Sequence, residues 1–126
     1  KRALLGADAH PDVMVPALRR DAAEVRADRV RIDLCKLPHH ASDGNVTSEM
    51  IEVMDARRYL VSTNGDKFAH PDDAALARII VSSKRPPAIY CNFATARTTP
   101  WVDRAEALGA TVMLPKQGRA GLRVSA

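Results

Sequence analysis

The stretch "RVRIDLCKLPHHASDGN", residues 29–45, carries the pattern that decides the fold. Its first part alternates apolar side chains at Val30, Ile32 and Leu34 with polar ones, which predicts a β-strand. The strand stops at Pro38, and two adjacent histidines and a polar, glycine-containing turn follow it. Two imidazoles have no packing role directly after a buried strand, so this point is a candidate functional site.

The strand–loop–helix pattern recurs along the whole chain. Residues 2–7, 58–63 and 87–93 are predicted strands, and 111–115 and 121–125 are predicted as a final hairpin. Helices are predicted over 12–26, from a Thr47 cap through Met54, from His70-Pro71 through Ile80, and from Thr99-Pro100 to a stop at Gly109. Strands alternating with helices favour an α/β fold with a mixed, mostly parallel sheet, formed by one domain over residues 1–126.

The composition is that of a globular protein. Apolar residues make up 46% and charged residues 27% of 126 residues, which is enough for one domain with a core of its own. No apolar run approaches the roughly 20 residues that span a bilayer, so no membrane segment is predicted. The chain opens on Lys1, without a methionine or a secretory signal, and we expect it to be cut from something longer.

The net charge and the positions of the two cysteines indicate the kind of partner and the compartment of the protein. The formal net charge of +4 favours an anionic partner, such as a small-molecule or nucleic-acid phosphodiester. Cys35 and Cys91 both lie inside apolar, strand-like runs. We therefore predict buried free thiols, a reducing compartment and a cytoplasmic location, unless the chain belongs to a membrane protein.

All four histidines follow predicted strands. His10 comes after the first strand together with Asp8, His39 and His40 follow the second, and His70 follows the third. In open α/β sheets, ligands bind beyond the carboxyl ends of the strands, where these side chains would meet. Imidazole and carboxylate are ligands for Zn²⁺, although a catalytic zinc needs about three protein ligands and a water.

Each of these residues also has a plainer interpretation. Asp8 could cap the following helix, His10 could be a solvated turn residue, and His70 could act as a helix N-cap. A Ser–His–Asp triad using Ser42 is a further alternative, but no GxSxG turn surrounds that serine. The adjacent pair His39–His40 is the member of the group that packing explains least.

Three segments together resemble the C-terminal half of metallo-β-lactamase-fold hydrolases. They are "ALLGADAH", "IDLCKLPHHAS" and "YLVSTNGDKFAHPDDAALARI", which follow one another over residues 3 to 80. The nearest branch is that of the DNA-uptake competence proteins, with a pattern of roughly "LLTGDA", "LKVPHHGS" and "HP". The resemblance implies that this chain is half of an αβ/βα sandwich that holds one or two metal ions, zinc or manganese.

The resemblance also implies roles for individual residues. Asp8 matches the aspartate that bridges two metals, and His40 best matches the last metal ligand, although His39 could serve instead. Otherwise His39 would lie beside the site, near a leaving or phosphate oxygen. Ser42 and His70 match positions that line the catalytic cleft. The implied reaction is metal-dependent hydrolysis of a phosphodiester or a related ester.

This sequence departs from the family pattern in ways that matter. The "HxHxDH" motif, which supplies most of the metal ligands in the family, does not occur in the chain. Ala41 replaces the glycine after the histidine pair, and a positive φ there would be strained. We therefore expect the chain alone to be inactive, and to need an N-terminal half or self-association through an exposed sheet face. The alternative is a degenerate α/β domain with a binding or structural role.

Overall fold

A computed structural model describes residues 1–125 and shows an α/β fold with parallel strands, which confirms the predicted class. A 3₁₀ turn covers Pro38–Ala41. The strands are β1 (Ala3–Leu5), β2 (Val30–Ile32), β3 (Leu34–Lys36), β4 (Met54–Ala56), β5 (Arg58–Val61), β6 (Ala88–Cys91) and β7 (Thr111–Met113). The helices are α1 (Pro11–Glu24), α2 (Ser48–Glu52), α3 (Asp73–Ser82) and α4 (Trp101–Ala107).

The main sheet has five strands in the order β1-β3-β5-β6-β7, and every neighbouring pair is parallel. Because the order advances in one direction and parallel crossovers are right-handed, the helices are expected on one face of the sheet. The burial of side chains is consistent with helices on one face, since Cys35, Tyr59 and Ile89 on that face are fully buried. On the opposite face, Leu60 and Tyr90 pair with each other and are only half-buried.

A second, two-stranded parallel sheet pairs β2 with β4. Only Asp33 separates β2 from β3, and only Arg57 separates β4 from β5. Each of these residues interrupts the alternation of buried and exposed positions, as an inserted residue in a strand does. The small sheet is therefore a continuation of the main sheet beyond a crease at Asp33 and Arg57.

Local signals account for the helix boundaries. Pro11 occupies the first turn of α1, where its missing N–H costs nothing. The Thr47 side chain accepts a hydrogen bond from Met50 N at 3.2 Å and caps α2, as predicted. Gly109 has φ +75° after the last turn of α4, which is the left-handed stop expected of a glycine.

Three predicted details of the fold are wrong. The main sheet is entirely parallel rather than mixed, and β4 is a strand although the sequence pattern places Met54 in the preceding helix. Residues 121–125 form no strand. Instead Gly121 N donates to Asn92 O at 2.7 Å, and Leu122 and Val124 line a cavity on the half-exposed face of the sheet. The apolar alternation of this tail therefore serves packing on the face of the sheet, and not pairing at its edge.

The two cysteines are free and buried, as predicted. Burial raises the pKa of the Cys35 thiol and of the Cys91 thiol to about 12 in each case. Among residues 1–125, none of the helices has the length and apolar character needed to cross a membrane.

Candidate functional site

The candidate site is built from three loops that follow β1, β3 and β5. They lie where the parallel strands of the main sheet end, which we call its carboxyl edge. The first two loops touch at Gly6, whose N–H donates to Lys36 O at 2.9 Å. A Cβ atom at Gly6 would lie 2.6 Å from Pro38 N and 2.9 Å from Lys36 O. Only glycine permits this close approach, which brings the loop carrying Asp8 against the loop carrying the histidine pair.

Asp8 is exposed, and the backbone on both sides of it is hydrogen-bonded to the second loop. His39 N donates to Ala7 O at 2.7 Å, and Asn45 Nδ2 donates to Ala9 O at 3.0 Å. These two bonds position Asp8 beside the histidine loop without using its carboxylate. The N-cap of α1 is His10, so the interpretation of Asp8 as the helix cap is wrong.

The imidazole of His39 has a defined tautomer. Its Nδ1 lies 3.1 Å from Asn45 Oδ1, and the Asn45 amide is oriented by the bond from Nδ2 to Ala9 O. An amide oxygen only accepts hydrogen bonds, so His39 Nδ1 must carry the proton and donate. In the neutral form of the ring the lone pair is then on Nε2, which is the atom available to a metal or a proton donor.

The imidazole of His40 has the same tautomer for the same reason. Its Nδ1 is hydrogen-bonded to the backbone carbonyl of Ser62, at the end of β5. A carbonyl cannot donate, so Nδ1 carries the proton and the lone pair is on Nε2. Metal-binding histidines are held in this way, with the second ring nitrogen donating to a carbonyl or carboxylate.

The backbone of the histidine turn is left-handed over three successive residues. The φ values are +41° at His39, +56° at His40 and +65° at Ala41. This conformation costs a side-chain-bearing residue roughly 1–2 kcal/mol, so the backbone is strained at Ala41. Strained backbone of this kind persists where surrounding contacts impose it, and it accumulates at functional sites.

His70 lies beside the histidine pair. Its ring centroid is 5.6 Å from that of His39, and the Phe68 ring is 6.1 Å from His70 and 6.2 Å from His39. His70 Nδ1 lies 3.3 Å from Asp72 Oδ2 but lacks hydrogen-bond geometry, and it is a buried nitrogen without a hydrogen-bond partner. The N-cap of α3 is Asp72, so the interpretation of His70 as the cap is wrong.

The predicted site residues are therefore brought together unequally. His39, His40 and His70 form one cluster of rings. Ser42 is half-buried at the end of the 3₁₀ turn, and its N–H donates to His39 O at 3.0 Å. His10 is exposed at the N-cap of α1 and makes no ring contact with the cluster. Within residues 1–125, no group of three or more His, Cys, Asp or Glu side chains is arranged to hold a metal ion.

Two residues at this edge were missed in the sequence. Asn45 is 3% exposed and orients His39. Its burial could not be predicted, because an asparagine in a loop is ordinarily exposed. Lys36 is half-buried, and its Nζ donates to Leu37 O at 2.8 Å. Burial lowers the pKa of Lys36 below its ordinary value, and the Asp8 carboxylate opposes this shift. Lys36 is thus close enough to interact electrostatically with the Asp8 carboxylate.

Comparison with known proteins finds no matching family model, no matching curated protein and no matching solved structure. The resemblance to metallo-β-lactamase-fold hydrolases therefore stays a prediction.

Proposed function

We propose that this chain forms the C-terminal part of a metal-dependent hydrolase that acts on a phosphodiester or a related ester. The observation that carries the proposal is the orientation of the His39 and His40 imidazoles. Both rings donate through Nδ1 to an oxygen of the fold and keep the Nε2 lone pair for a ligand. Two neighbouring histidines held in this way, in a strained turn at the carboxyl edge of a parallel sheet, favour a metal site over packing.

The proposed roles follow from the loops. His40 is the terminal metal ligand, with His39 as the alternative ligand or as a group beside the reacting phosphate oxygen. Asp8 would be the bridging carboxylate that the resemblance implies, and hydrogen bonds at Ala7 and Ala9 keep it beside the histidine turn. Ser42 and His70 line the cleft. The metal would be zinc, or manganese, as one or two ions.

A bound metal ion would lower the pKa of a bound water and polarise the phosphoryl oxygen of the substrate. The chemistry of the donor set fits such an ion, since imidazole nitrogen and carboxylate oxygen are its ligands in proteins. The number of donors does not suffice, because a catalytic site needs about three protein ligands. We propose that a further segment or a second copy of the chain supplies the remaining ligands.

The half-exposed face of the main sheet supports this need for a partner. Its outward residues lie in one lateral row that includes Leu5, Lys36, Leu60, Tyr90 and Met113. Leu5 is 73% exposed and Met113 is 43% exposed. A row of this kind is typical of a sheet face that packs against another sheet.

The proposal is tested by metal binding to the chain. Zn²⁺ is titrated into wild-type protein and into the variants Asp8→Ala, His40→Ala and His10→Ala, and its affinity is measured at equilibrium by isothermal titration calorimetry. We expect Asp8→Ala and His40→Ala to bind Zn²⁺ more weakly than wild type. His10→Ala is the matched control, because this exposed histidine precedes α1 without joining the ring cluster. Unchanged Zn²⁺ affinity in both site variants would refute the assignment.

Hydrolysis is tested separately with a chromogenic phosphodiester. We expect no turnover by the 126 residues alone, with zinc or with manganese, because the donor set is incomplete. Robust turnover by the isolated chain would contradict the proposal of a half-site.

The second candidate function is a non-catalytic α/β domain with a binding or structural role. The observation in its favour is that, over residues 1–125, no three potential ligands come together. This alternative predicts that Zn²⁺ binds wild type and His40→Ala equally, and that no added segment restores hydrolysis.

A further inference from the structure

A basic cavity lies where the strands of the main sheet begin, at the end opposite to the histidine cluster, which we call the amino edge. Its volume is about 280 Å³, and it lies at the crease between the two sheets. Arg58 is the first residue of β5, Arg85 closely precedes β6, and Asp33 directly precedes β3. The lining side chains belong to Arg31, Ile32, Asp33, Asp55, Arg57, Arg58 and Arg85.

The crease itself creates this cavity. Asp33 and Arg57 are the two residues inserted between successive strands, and they lie in neighbouring parallel segments. An inserted residue bends its strand and redirects the side chains beside it. Here two insertions in neighbouring strands direct charged side chains into one concave surface.

One arginine of the cavity is fixed by a carboxylate. Arg85 Nε donates to Asp55 Oδ1 at 3.0 Å, and Arg85 Nη2 donates to Asp55 Oδ2. The hydrogen bonds from Arg85 lower the pKa of Asp55, so this carboxyl stays ionised. Both Asp55 oxygens are engaged by one guanidinium, which makes Asp55 an orienting group for Arg85 and leaves the other arginines to a ligand.

The remaining charges of the cavity are not balanced. Asp33 Oδ2 accepts a hydrogen bond from Arg2 N at 2.7 Å, and its Oδ1 lies 4.0 Å from Arg31 Nη2. Among residues 1–125, no carboxylate forms an ion pair with Arg57 or Arg58. Four arginines and two aspartates give the lining a net charge of +2.

The positive charge of the whole chain is concentrated here. An adjoining cavity of about 470 Å³ shares Arg31 and Asp33 and adds Lys1, Arg2 and Arg29. The two cavities together use seven of the nineteen basic residues and two of the fifteen acidic ones. The other twelve basic and thirteen acidic residues nearly cancel, so the excess charge belongs to this edge.

We propose that the crease cavity is a binding site for a phosphate group, separate from the candidate metal site. Guanidinium groups match phosphate because their planar N–H donors pair with two oxygens at once. A phosphate group offers more acceptor oxygens than a carboxylate, which suits several converging arginines better, and a monoester or free phosphate also carries more charge. The source is either a free phosphate-bearing small molecule or one phosphate of a polymer backbone. The proposal does not depend on metal binding, since the two sites lie at opposite ends of β3.

The site is mapped by nuclear magnetic resonance on the wild-type chain. Inorganic phosphate is titrated in against ¹⁵N-labelled protein at constant ionic strength, with acetate as the comparison anion. We expect saturable shifts at Arg31, Asp33, Arg57 and Arg58, and we expect acetate to bind much more weakly. Shifts that do not saturate, that centre on the histidine turn, or that acetate reproduces at equal affinity would overturn the proposal.

A pair of double variants tests the arginines. Arg57→Gln with Arg58→Gln removes two positive charges from the cavity, and we expect phosphate to bind roughly tenfold more weakly. Arg20→Gln with Arg97→Gln is the matched control, because it removes the same charge from exposed positions outside both cavities. Equal weakening in the two double variants would show nonspecific attraction and overturn the proposal. The single variant Arg57→Gln, at an exposed position, gives the same comparison if the double variant does not fold.

A short oligothymidylate distinguishes the two sources of phosphate. Tighter binding than inorganic phosphate, with a steep decrease in added salt, would assign the site to a polymer backbone. Equal or weaker binding would assign it to a small phosphate-bearing molecule. Asp8→Ala is expected to leave either result unchanged, so the phosphate site and the proposed hydrolase can fail independently.

Discussion

The carboxyl and amino edges of the main sheet carry different chemical groups, histidines at the first and arginines at the second. At the carboxyl edge, the Asn45 amide oxygen and the Ser62 backbone carbonyl accept hydrogen bonds from the imidazoles of His39 and His40. At the amino edge, carboxylates hold arginines, and the positive charge exceeds the negative. The difference teaches that one set of parallel strands can present imidazoles at one end and arginines at the other. Loops build the first edge, and residues inserted between strands build the second.

The edges also differ in what maintains them. The histidine turn keeps three left-handed residues in place through hydrogen bonds and the close contact of Gly6 with Pro38. Such a site depends on precise packing and is sensitive to volume changes. The arginine cavity depends on partly exposed ion pairs, which contribute little to stability and are screened by salt. We therefore expect mutations at the carboxyl edge to have the larger effects.

The largest effect is expected from Gly6→Ala. The added Cβ would meet backbone atoms of Pro38 and Lys36 at 2.6 to 2.9 Å, so the two loops must separate. We expect the free energy of unfolding in urea to fall by about 2 kcal/mol. Gly44→Ala is the matched control, because no atom lies within 4 Å of its added Cβ, and it should change stability by less than about 0.5 kcal/mol. Equal effects of the two variants would show that the loop contact does not matter.

An intermediate effect is expected from Asn45→Ala, which removes the acceptor of the His39 Nδ1 proton. If His39 is a metal ligand, Zn²⁺ affinity should fall at least tenfold. Asn45→Ala also removes the bond to Ala9 O that positions Asp8, so His39→Ala is the companion variant that decides between the two histidines. Zn²⁺ affinity that stays unchanged in His39→Ala would leave His40 as the ligand. Ring ¹⁵N shifts provide the second measurement. They should report an Nδ1–H tautomer at His39 in wild type and a mixture in the variant. An Nε2–H tautomer in wild type would contradict the proposed orientation.

The smallest effect is expected at the amino edge, from Asp55→Asn. The pKa of Asp55 is lowered in the fold, chiefly by the hydrogen bonds from Arg85, so its stabilisation is present above its ordinary pKa. That stabilisation is lost as pH falls through the lowered value. We expect wild type to exceed the variant by at most about 1 kcal/mol near neutral pH, and the difference to shrink below about pH 4. Asp28→Asn, in an exposed loop, is the control. A constant difference down to about pH 2 would exclude the ion pair as its cause.

Much of the fold could be predicted from local patterns. The alternation at Val30 and Ile32 identified β2, but the predicted strand is broken at Asp33, and Leu34 lies in β3 on the half-exposed face. The cap at Thr47 and the stop at Gly109 marked helix ends. The predicted hairpin between 111–115 and 121–125 is wrong. A short segment with alternating apolar residues can pair with an edge strand or pack on the face of a sheet, and the sequence pattern is the same in both cases. Met54 was assigned to a helix for a similar reason, since one apolar residue after a helix fits either period.

The candidate site divides in the same way. The strand order was enough to gather His39, His40 and His70 at one edge, because parallel strands share their carboxyl ends. The role of Asn45 could not be predicted from the sequence. It depends on the left-handed turn at His39, which brings the His39 ring against the side chain of Asn45, six residues later in the chain. The metal ligands Asp8 and His40 stay predictions that the Zn²⁺ titration tests.

By itself, the sequence determined the α/β class, the edge that carries the histidines and the burial of both cysteines. These properties follow from periodicity and chain order, which act over a few residues at a time. Only the tertiary structure decided the imidazole tautomers, the strain at Ala41 and the arginine cavity. Each of these depends on groups far apart in the chain, such as Asp55 and Arg85 or His40 and Ser62, whose approach is a result of the fold.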